Sequence, residues 1–248
     1  MRLVRQAFPE RPAFDMAVTH ALLRRVAAGE LPALVRVFRP GPTVAFGRLD
    51  ALAPGFAAAA AAARAHGAEP VLRLGGGHAA AYGPSAVLVE AVVPQRAIAE
   101  GLRERFATGA GWIVAALADV GVAAQVGELP GEYCAGAWSV HGGGTKLAGL
   151  AQRSVRGAAL LTGFVVVDGA PALRALLADV YAALELEWDP RTAGALTDLA
   201  PGLRPGDVER ALVRAVAGAS PGAELELDAA TLALAAELEP PHRAAVRA

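Results

Sequence analysis

The sequence predicts an α+β fold: a mixed sheet flanked by helices, with a helical C-terminal segment. Three observations carry that prediction. Four β-type stretches follow one another between residues 122 and 167, Ala-rich segments of helical period punctuate the first half, and beyond about residue 170 only helical patterns remain, broken by Pro and Gly. A chain of 248 residues holds one domain with a sizeable core, or one domain and a small appendage. The expected division is a core over residues 1–170 and a helical segment over 171–248 that packs on it or forms a small lobe.

Taken in order, LVRQAF near the N-terminus reads as a short strand. Phe14, Ala17, Ala21, Leu22 and Val26 then recur at helical spacing behind Pro12, a common first helical residue. Leu34–Phe38 and Thr43–Phe46 read as two strands joined by a turn at Arg39-Pro-Gly-Pro42. Phe56–Arg64 is almost pure Ala, the best helix former, and Gly67 stops it. Pro70–Arg73 is a strand entering a glycine loop, and Ala86–Val93 is a buried strand beyond it. Ala97–Leu117 has helical period, and the β-rich block comprises Val122–Val126, Ala137–His141, Thr145–Arg153 and Ala158–Val167. Helices over Ala170–Leu184, Pro205–Ala217 and Ala229–Leu238 complete the chain.

Composition narrows the function classes. The chain is 54% hydrophobic and 19% charged, with a formal net charge of −1, so it offers no basic face for nucleic acid and no polybasic membrane anchor. No apolar run approaches the roughly 18 residues of a membrane span, and the N-terminus lacks the apolar core of a signal peptide. One Cys forms no internal disulfide, and a reducing, cytoplasmic setting is expected. Of the 23 basic residues only Lys146 is a lysine; the rest are arginine, and there is no Asn.

Three places carry candidate chemistry. In Val71-Leu-Arg-Leu-Gly-Gly-Gly-His78 the glycines let the backbone approach a ligand, and Arg73 suits a carboxylate or phosphate. It is neither a P-loop nor a dinucleotide fingerprint. In His141-Gly-Gly-Gly-Thr-Lys146-Leu-Ala-Gly149-Leu-Ala151 a glycine hairpin sets Lys146 at the start of a strand, and Gly149 and Ala151 leave room for a ligand. A compact ammonium enters sites that a guanidinium does not. Cys134 lies in a Gly/Pro-rich loop just upstream, where a nearby cation such as Lys146 would favour the nucleophilic thiolate. The five histidines show no ligand spacing, so no metal site is expected, and Asp15, Asp50 and Asp168 read as caps or surface charges.

Together these segments resemble the lipoate–protein ligase and octanoyltransferase family, related in fold to the biotin–protein ligases. Phe14-Asp-Met-Ala-Val-Thr-His-Ala-Leu-Leu23 looks like the family's N-terminal helix, and Pro42-Thr-Val-Ala-Phe-Gly-Arg48 is similar to its P-T-V-x-x-G-R strand. Arg73-Leu-Gly-Gly-Gly-His78 looks like its R-R-x-G-G-G loop, and Lys146-Leu-Ala-Gly-Leu-Ala-Gln-Arg153 matches K-x-x-G-x-A-Q-R. The resemblance covers roughly residues 10–170 and implies a largely antiparallel sheet. It also implies a tunnel in which Gly75, Gly76 and Gly77 line an acyl chain and Lys146 polarises its carbonyl. Arg73, His78, Tyr82, Gly149 and Ala151 complete the implied substrate site.

Two departures matter. Where the family carries a His after the glycine loop, this chain has Tyr82 or Gly83. The Asn-Asp pair that ATP-using ligases carry ahead of the lysine hairpin is replaced by Gly136-Ala-Trp-Ser-Val140. Cys134 stands slightly upstream, resembling an octanoyltransferase branch with an acyl-thioester cysteine in this loop. The resemblance therefore implies transfer of an octanoyl or lipoyl group to a lysine of a lipoyl domain, through Cys134 and with Lys146 on the acyl carbonyl. The expected partners are a lipoyl domain of a 2-oxoacid dehydrogenase or a glycine-cleavage carrier protein, and an acyl carrier protein as a further donor. No resident cofactor is expected; lipoate or an octanoyl-carrier thioester is substrate. The alternatives are an ATP-dependent ligase, which would add ATP and Mg, and a non-catalytic acyl-binding homologue.

Overall fold

The computed structural model describes residues 1–218 and 223–244, so residues 219–222 and 245–248 of the expected C-terminal segment lie outside it. It opens with β1 (Arg2–Val4), α1 (Pro12–Ala27), β2 (Leu34–Phe38) and β3 (Thr43–Phe46). Then come α2 (Phe56–Ala65), β4 (Glu69–Leu72), β5 (Ala80–Tyr82), β6 (Ala86–Pro94) and α3 (Leu102–Asp119). The second half holds β7 (Gln125–Val126), β8 (Val140–Gly142), β9 (Thr145–Val155) and β10 (Ala158–Val166), followed by α4 (Ala170–Ala183), α5 (Pro205–Ala217) and α6 (Ala229–Leu238).

Seven strands form one sheet in the order β1-β2-β6-β10-β9-β8-β7, antiparallel throughout except for the parallel β1–β2 edge. Three more form a small sheet, β4-β3-β5, with β3 and β4 parallel. The fold is thus α+β with a mixed, largely antiparallel sheet. The Arg39–Pro42 turn does not close a hairpin, however: β2 and β3 belong to different sheets, and the turn carries the chain from one to the other.

Alternation along the strands decides what each face meets. Leu34, Val92 and Leu160 pack on α1 and α6, and Leu88, Phe164 and Val166 pack on the small sheet, α2 and α4. The intervening residues Val35, Val37, Val89, Leu161 and Val165 face α3 and α5. The C-terminal helices therefore contribute to all three apolar clusters, α4 on α2, α5 on α3 and α6 on α1. Leu22, Leu23 and Leu177 are among the fully buried side chains, each worth about 1.5–3 kcal/mol of apolar burial.

Several boundaries differ from the expected ones, with local causes. The first strand stops at Val4 because Gln6 turns its carbonyl to the Arg36 guanidinium, at 3.0 and 2.7 Å. Helix α3 starts at Leu102, not Ala97, because the Glu100 carboxylate takes the N–H groups of Arg96 and Ala97 into a turn. The strand expected from Ala137 begins at Val140, since Ser139 and Gly136 both turn inward to hydrogen-bond Glu132. Only Gln125 and Val126 of the 122–126 stretch pair as β7. No helix of the described residues is long and apolar enough to cross a membrane.

Candidate active site

A cavity of about 320 Å³ opens where the two sheets meet, walled by β6, β9, β10, the glycine loop and the loop carrying Cys134. Arg73 enters it from the end of β4, its backbone N–H still donating to Phe46 O at 3.0 Å. The guanidinium then folds back: Nη2 donates to His78 O at 2.6 Å and lies 3.4 Å from Cys134 Sγ. Gly77 makes that approach possible. With φ at +93°, a Cβ there would sit 2.7 Å from Arg73 Nη2 and 2.8 Å from Cys134 Sγ. Gly75 is needed for a different reason, because its Cβ would meet Ala151 Cβ at 2.8 Å across the cavity wall.

Cys134 is half-buried and holds a left-handed backbone, φ +44°, which a non-glycine residue adopts only when its surroundings impose it. Two neighbours grip its peptide groups. Its N–H donates to the Tyr181 hydroxyl at 2.7 Å, and its carbonyl accepts from Lys146 Nζ at 2.8 Å. Lys146 is buried at 1% exposure rather than solvated on a hairpin. Its ammonium donates also to Tyr133 O at 2.9 Å and Glu132 Oε1 at 3.3 Å, and lies 4.8 Å from the Tyr133 ring centroid. Burial holds its pKa below the ordinary lysine value, against the opposing pull of Cys134 and Glu132.

The other expected site residues divide. Gly76, Tyr82, Gly149 and Ala151 line the cavity, with the Tyr82 ring tilted against Phe164 at 5.7 Å. Burial pushes the Tyr82 phenol above its ordinary range. The His78 ring does not line the cavity; its Nδ1 lies 2.8 Å from Asp50 Oδ1 and its contribution is the carbonyl that anchors Arg73. Among the described residues no three His, Cys, Asp or Glu side chains gather where they could share a cation.

Residues 11–199 match the lipoyl protein ligase A/B catalytic domain. The chain belongs to that family. It is 32% identical over 174 residues to octanoyl-[GcvH]:protein N-octanoyltransferase of Geobacillus kaustophilus, an alignment covering 67% of this chain and 60% of that relative. The chain thus matches about three fifths of that relative's length. The protein of the same name from Exiguobacterium sibiricum is also 32% identical, over 73% of this chain and 69% of its own. Among solved structures, lipoate-protein ligase A bound with ATP superposes with a TM-score of 0.76 at 20% identity, over 96% of this chain and 93% of the other. The bipartite lipoate protein ligase of Thermoplasma acidophilum, solved with its E2 lipoyl domain, gives 0.69 at 18% identity, over 96% and 91%. At those identities the likeness is one of fold.

In this member of the lipoyl ligase family, five residues at or near the candidate site escape a reading of motifs. Glu132 is almost fully buried and accepts three hydrogen bonds on Oε1, from Gly136 N–H, Ser139 and Lys146. It is the only charged residue between Pro130 and Ser139, a signal the sequence did offer. Tyr181 lies in the C-terminal helices, where nothing in the sequence points to the site. Asp15 and Asp50 are not surface charges: both are buried, Asp15 on Arg36 and Asp50 on Gly47 N–H at 2.9 Å and His78. Glu90, on the cavity wall, shares the buried Arg36 with Asp15, at 3.7 Å, and accepts from Thr19 Oγ1 at 2.7 Å. One guanidinium between two carboxylates leaves Glu90 poorly compensated, and burial pushes its pKa up to about 7.

Proposed function

We propose that this chain transfers an octanoyl or lipoyl group from an acylated carrier, a thioester or an acyl-lysine, to a lysine of a lipoyl domain, through a thioester on Cys134. The observation that carries the reading is the Cys134 sulfur on the cavity wall, 3.4 Å from the Arg73 guanidinium. A cation at that distance stabilises a sulfur anion. The relatives named as octanoyl-[GcvH]:protein N-octanoyltransferases support a glycine-cleavage carrier as donor. The ligase solved with its E2 lipoyl domain is a fold-mate only.

In the first step the Cys134 thiolate attacks the donor's acyl carbonyl. The carbonyl–nitrogen bond of an octanoyl-lysine carrier, or the carbonyl–sulfur bond of a thioester carrier, breaks, and the donor leaves as an amine or a thiol carrying the proton Cys134 gave up. In the second, a neutral lysine amine of the acceptor attacks the acyl-Cys134 carbonyl. An amide forms, the carbon–sulfur bond to Cys134 breaks, and the amine's proton returns to the sulfur. Lys146 serves both steps by turning one N–H from a main-chain carbonyl to the developing oxyanion, an interaction of about 3 kcal/mol in a dry site. Gly75, Gly76, Tyr82, Gly149 and Ala151 wall the acyl chain.

Mixing the purified chain with an octanoylated glycine-cleavage carrier and a lipoyl domain, without nucleotide, tests the reaction. Octanoyl-lipoyl domain should appear, and the Cys134→Ala variant should yield none. Lipoate-dependent pyrophosphate release that survives Cys134→Ala would support an ATP-dependent ligase instead. Tight binding of octanoate with no transfer under either regime would support a non-catalytic acyl binder.

A further inference from the structure

Cys134 needs more than its own loop to stay where it is. Its left-handed φ of +44° is unfavourable for a residue with a Cβ, and nothing covalent enforces it. The peptide on its N-terminal side is held by Tyr181, whose hydroxyl accepts the Cys134 N–H at 2.7 Å and donates to Ala79 O at 2.9 Å. Ala79 directly follows the glycine loop and His78, whose carbonyl orients Arg73. A single phenol on α4 thus ties the cysteine loop to the end of the glycine loop, the two segments that bring Cys134 Sγ and Arg73 together. The ring itself is fixed independently of its hydroxyl, buried to 3% exposure and packed against Trp188 with centroids 5.5 Å apart.

We infer that Tyr181 is a positioning residue for Cys134: its hydroxyl sets the backbone of the nucleophile and its register against Arg73. The inference rests on the acyl-transfer reading above. It gives the C-terminal helical segment a part in the chemistry, beyond packing. The Lys146 ammonium holds the carbonyl side of the same residue, so the cysteine is clamped at both ends. Removing the phenol hydroxyl opens one jaw while leaving the ring's packing in place.

The test is Tyr181→Phe, with Trp188→Phe as a packing control that keeps the hydroxyl. Two rates are measured below the melting transition: formation of acyl-Cys134 from octanoyl carrier, and alkylation of Cys134 by iodoacetamide across pH. Tyr181→Phe should slow acylation by on the order of 10²-fold, the scale of a misplacement of about 1 Å, with the KM for the octanoyl carrier unchanged, because no cavity wall is altered. It should also shift the alkylation pH profile. Trp188→Phe should lower Tm and leave both rates at the wild-type values. A Tyr181→Phe variant that melts earlier but acylates at the wild-type rate would overturn the positioning role while leaving acyl transfer intact. Absence of any acyl-Cys134 in the wild type would overturn the transfer reading instead. In that case alkylation alone decides the clamp: an unaltered profile in Tyr181→Phe refutes it and a shifted one sustains it.

Discussion

Replacing Lys146 with Met separates what its ammonium holds together from what it does chemically. Methionine is close to lysine in length and fills the same buried space, so packing changes little. Three hydrogen bonds are lost, to Cys134 O, Tyr133 O and Glu132 Oε1. The dominant cost is the Glu132 carboxylate, buried, with Oε2 already unpartnered among the described residues, and now deprived of its cation. Breaking a buried pair from one side costs about 3–5 kcal/mol, which for a chain of this size is a fall of roughly 6–20 °C in Tm. Adding Glu132→Gln removes the stranded charge while keeping an oxygen for Gly136 N–H and Ser139. The double variant should therefore recover most of the lost Tm, a coupling of about 2 kcal/mol or more read from a double-mutant cycle. Neither variant should transfer octanoyl groups at more than a small fraction of the wild-type rate. Thermal melts and transfer assays at one pH give both readings. A single variant that melts with the wild type, or a double variant no more stable than the single, would refute the account of Lys146 as the buried partner of Glu132. A double variant with wild-type transfer would refute its role at the oxyanion.

Further outcomes follow from the same geometry. Gly77→Ala places a methyl between Arg73 Nη2 and Cys134 Sγ at a φ of +93°, so it should cost about 1–2 kcal/mol of stability yet reduce the rate of acylation at least tenfold, as measured on folded protein. Glu90 has a folded-state pKa raised to about 7 from its ordinary 4.5, so the folded state binds more protons than the unfolded one between those values, and its contribution makes stability fall as pH rises across that window. His20, lowered to about 4 by burial and by His242, acts the other way, withdrawing stability as pH falls from 6.5 toward 4. Denaturant titrations of Glu90→Gln should then show stability rising more steeply with pH between 4.5 and 7 than in the wild type, and an unchanged slope would count against the uncompensated carboxyl.

The parts of this fold that could be read from the sequence are those with local causes. Helices α1 and α2, strands β2, β3, β9 and β10 and all three C-terminal helices fall where period, Pro and Gly place them. Motifs also located Arg73, the glycines and Lys146, because close backbone approach and a compact cation leave marks in residue type. What stayed hidden depends on long-range partners. Nothing local says that Arg39–Pro42 changes sheets, that Gly136 and Ser139 fold inward around Glu132, or that a tyrosine 47 residues beyond Cys134 holds its N–H. The neighbours of Cys134 show the same limit: Lys146 was the expected cation, whereas the guanidinium of Arg73 lies by the sulfur and Lys146 holds the carbonyl of the same residue. Asp15 and Asp50 read as caps or surface charges, and Asp50 does accept the Gly47 N–H. Both are nevertheless buried, because burial of a carboxylate is decided by a partner elsewhere in the chain, Arg36 in the case of Asp15.

The central claim is a covalent acyl group on Cys134, and intact-mass spectrometry of the chain after incubation with octanoyl carrier addresses it directly. The account predicts one octanoyl adduct on the wild type, removed by hydroxylamine, localised to the peptide containing Cys134, and absent at that peptide in Cys134→Ala. An unmodified wild type that still transfers octanoyl groups, or a hydroxylamine-labile adduct that persists in Cys134→Ala, would contradict it.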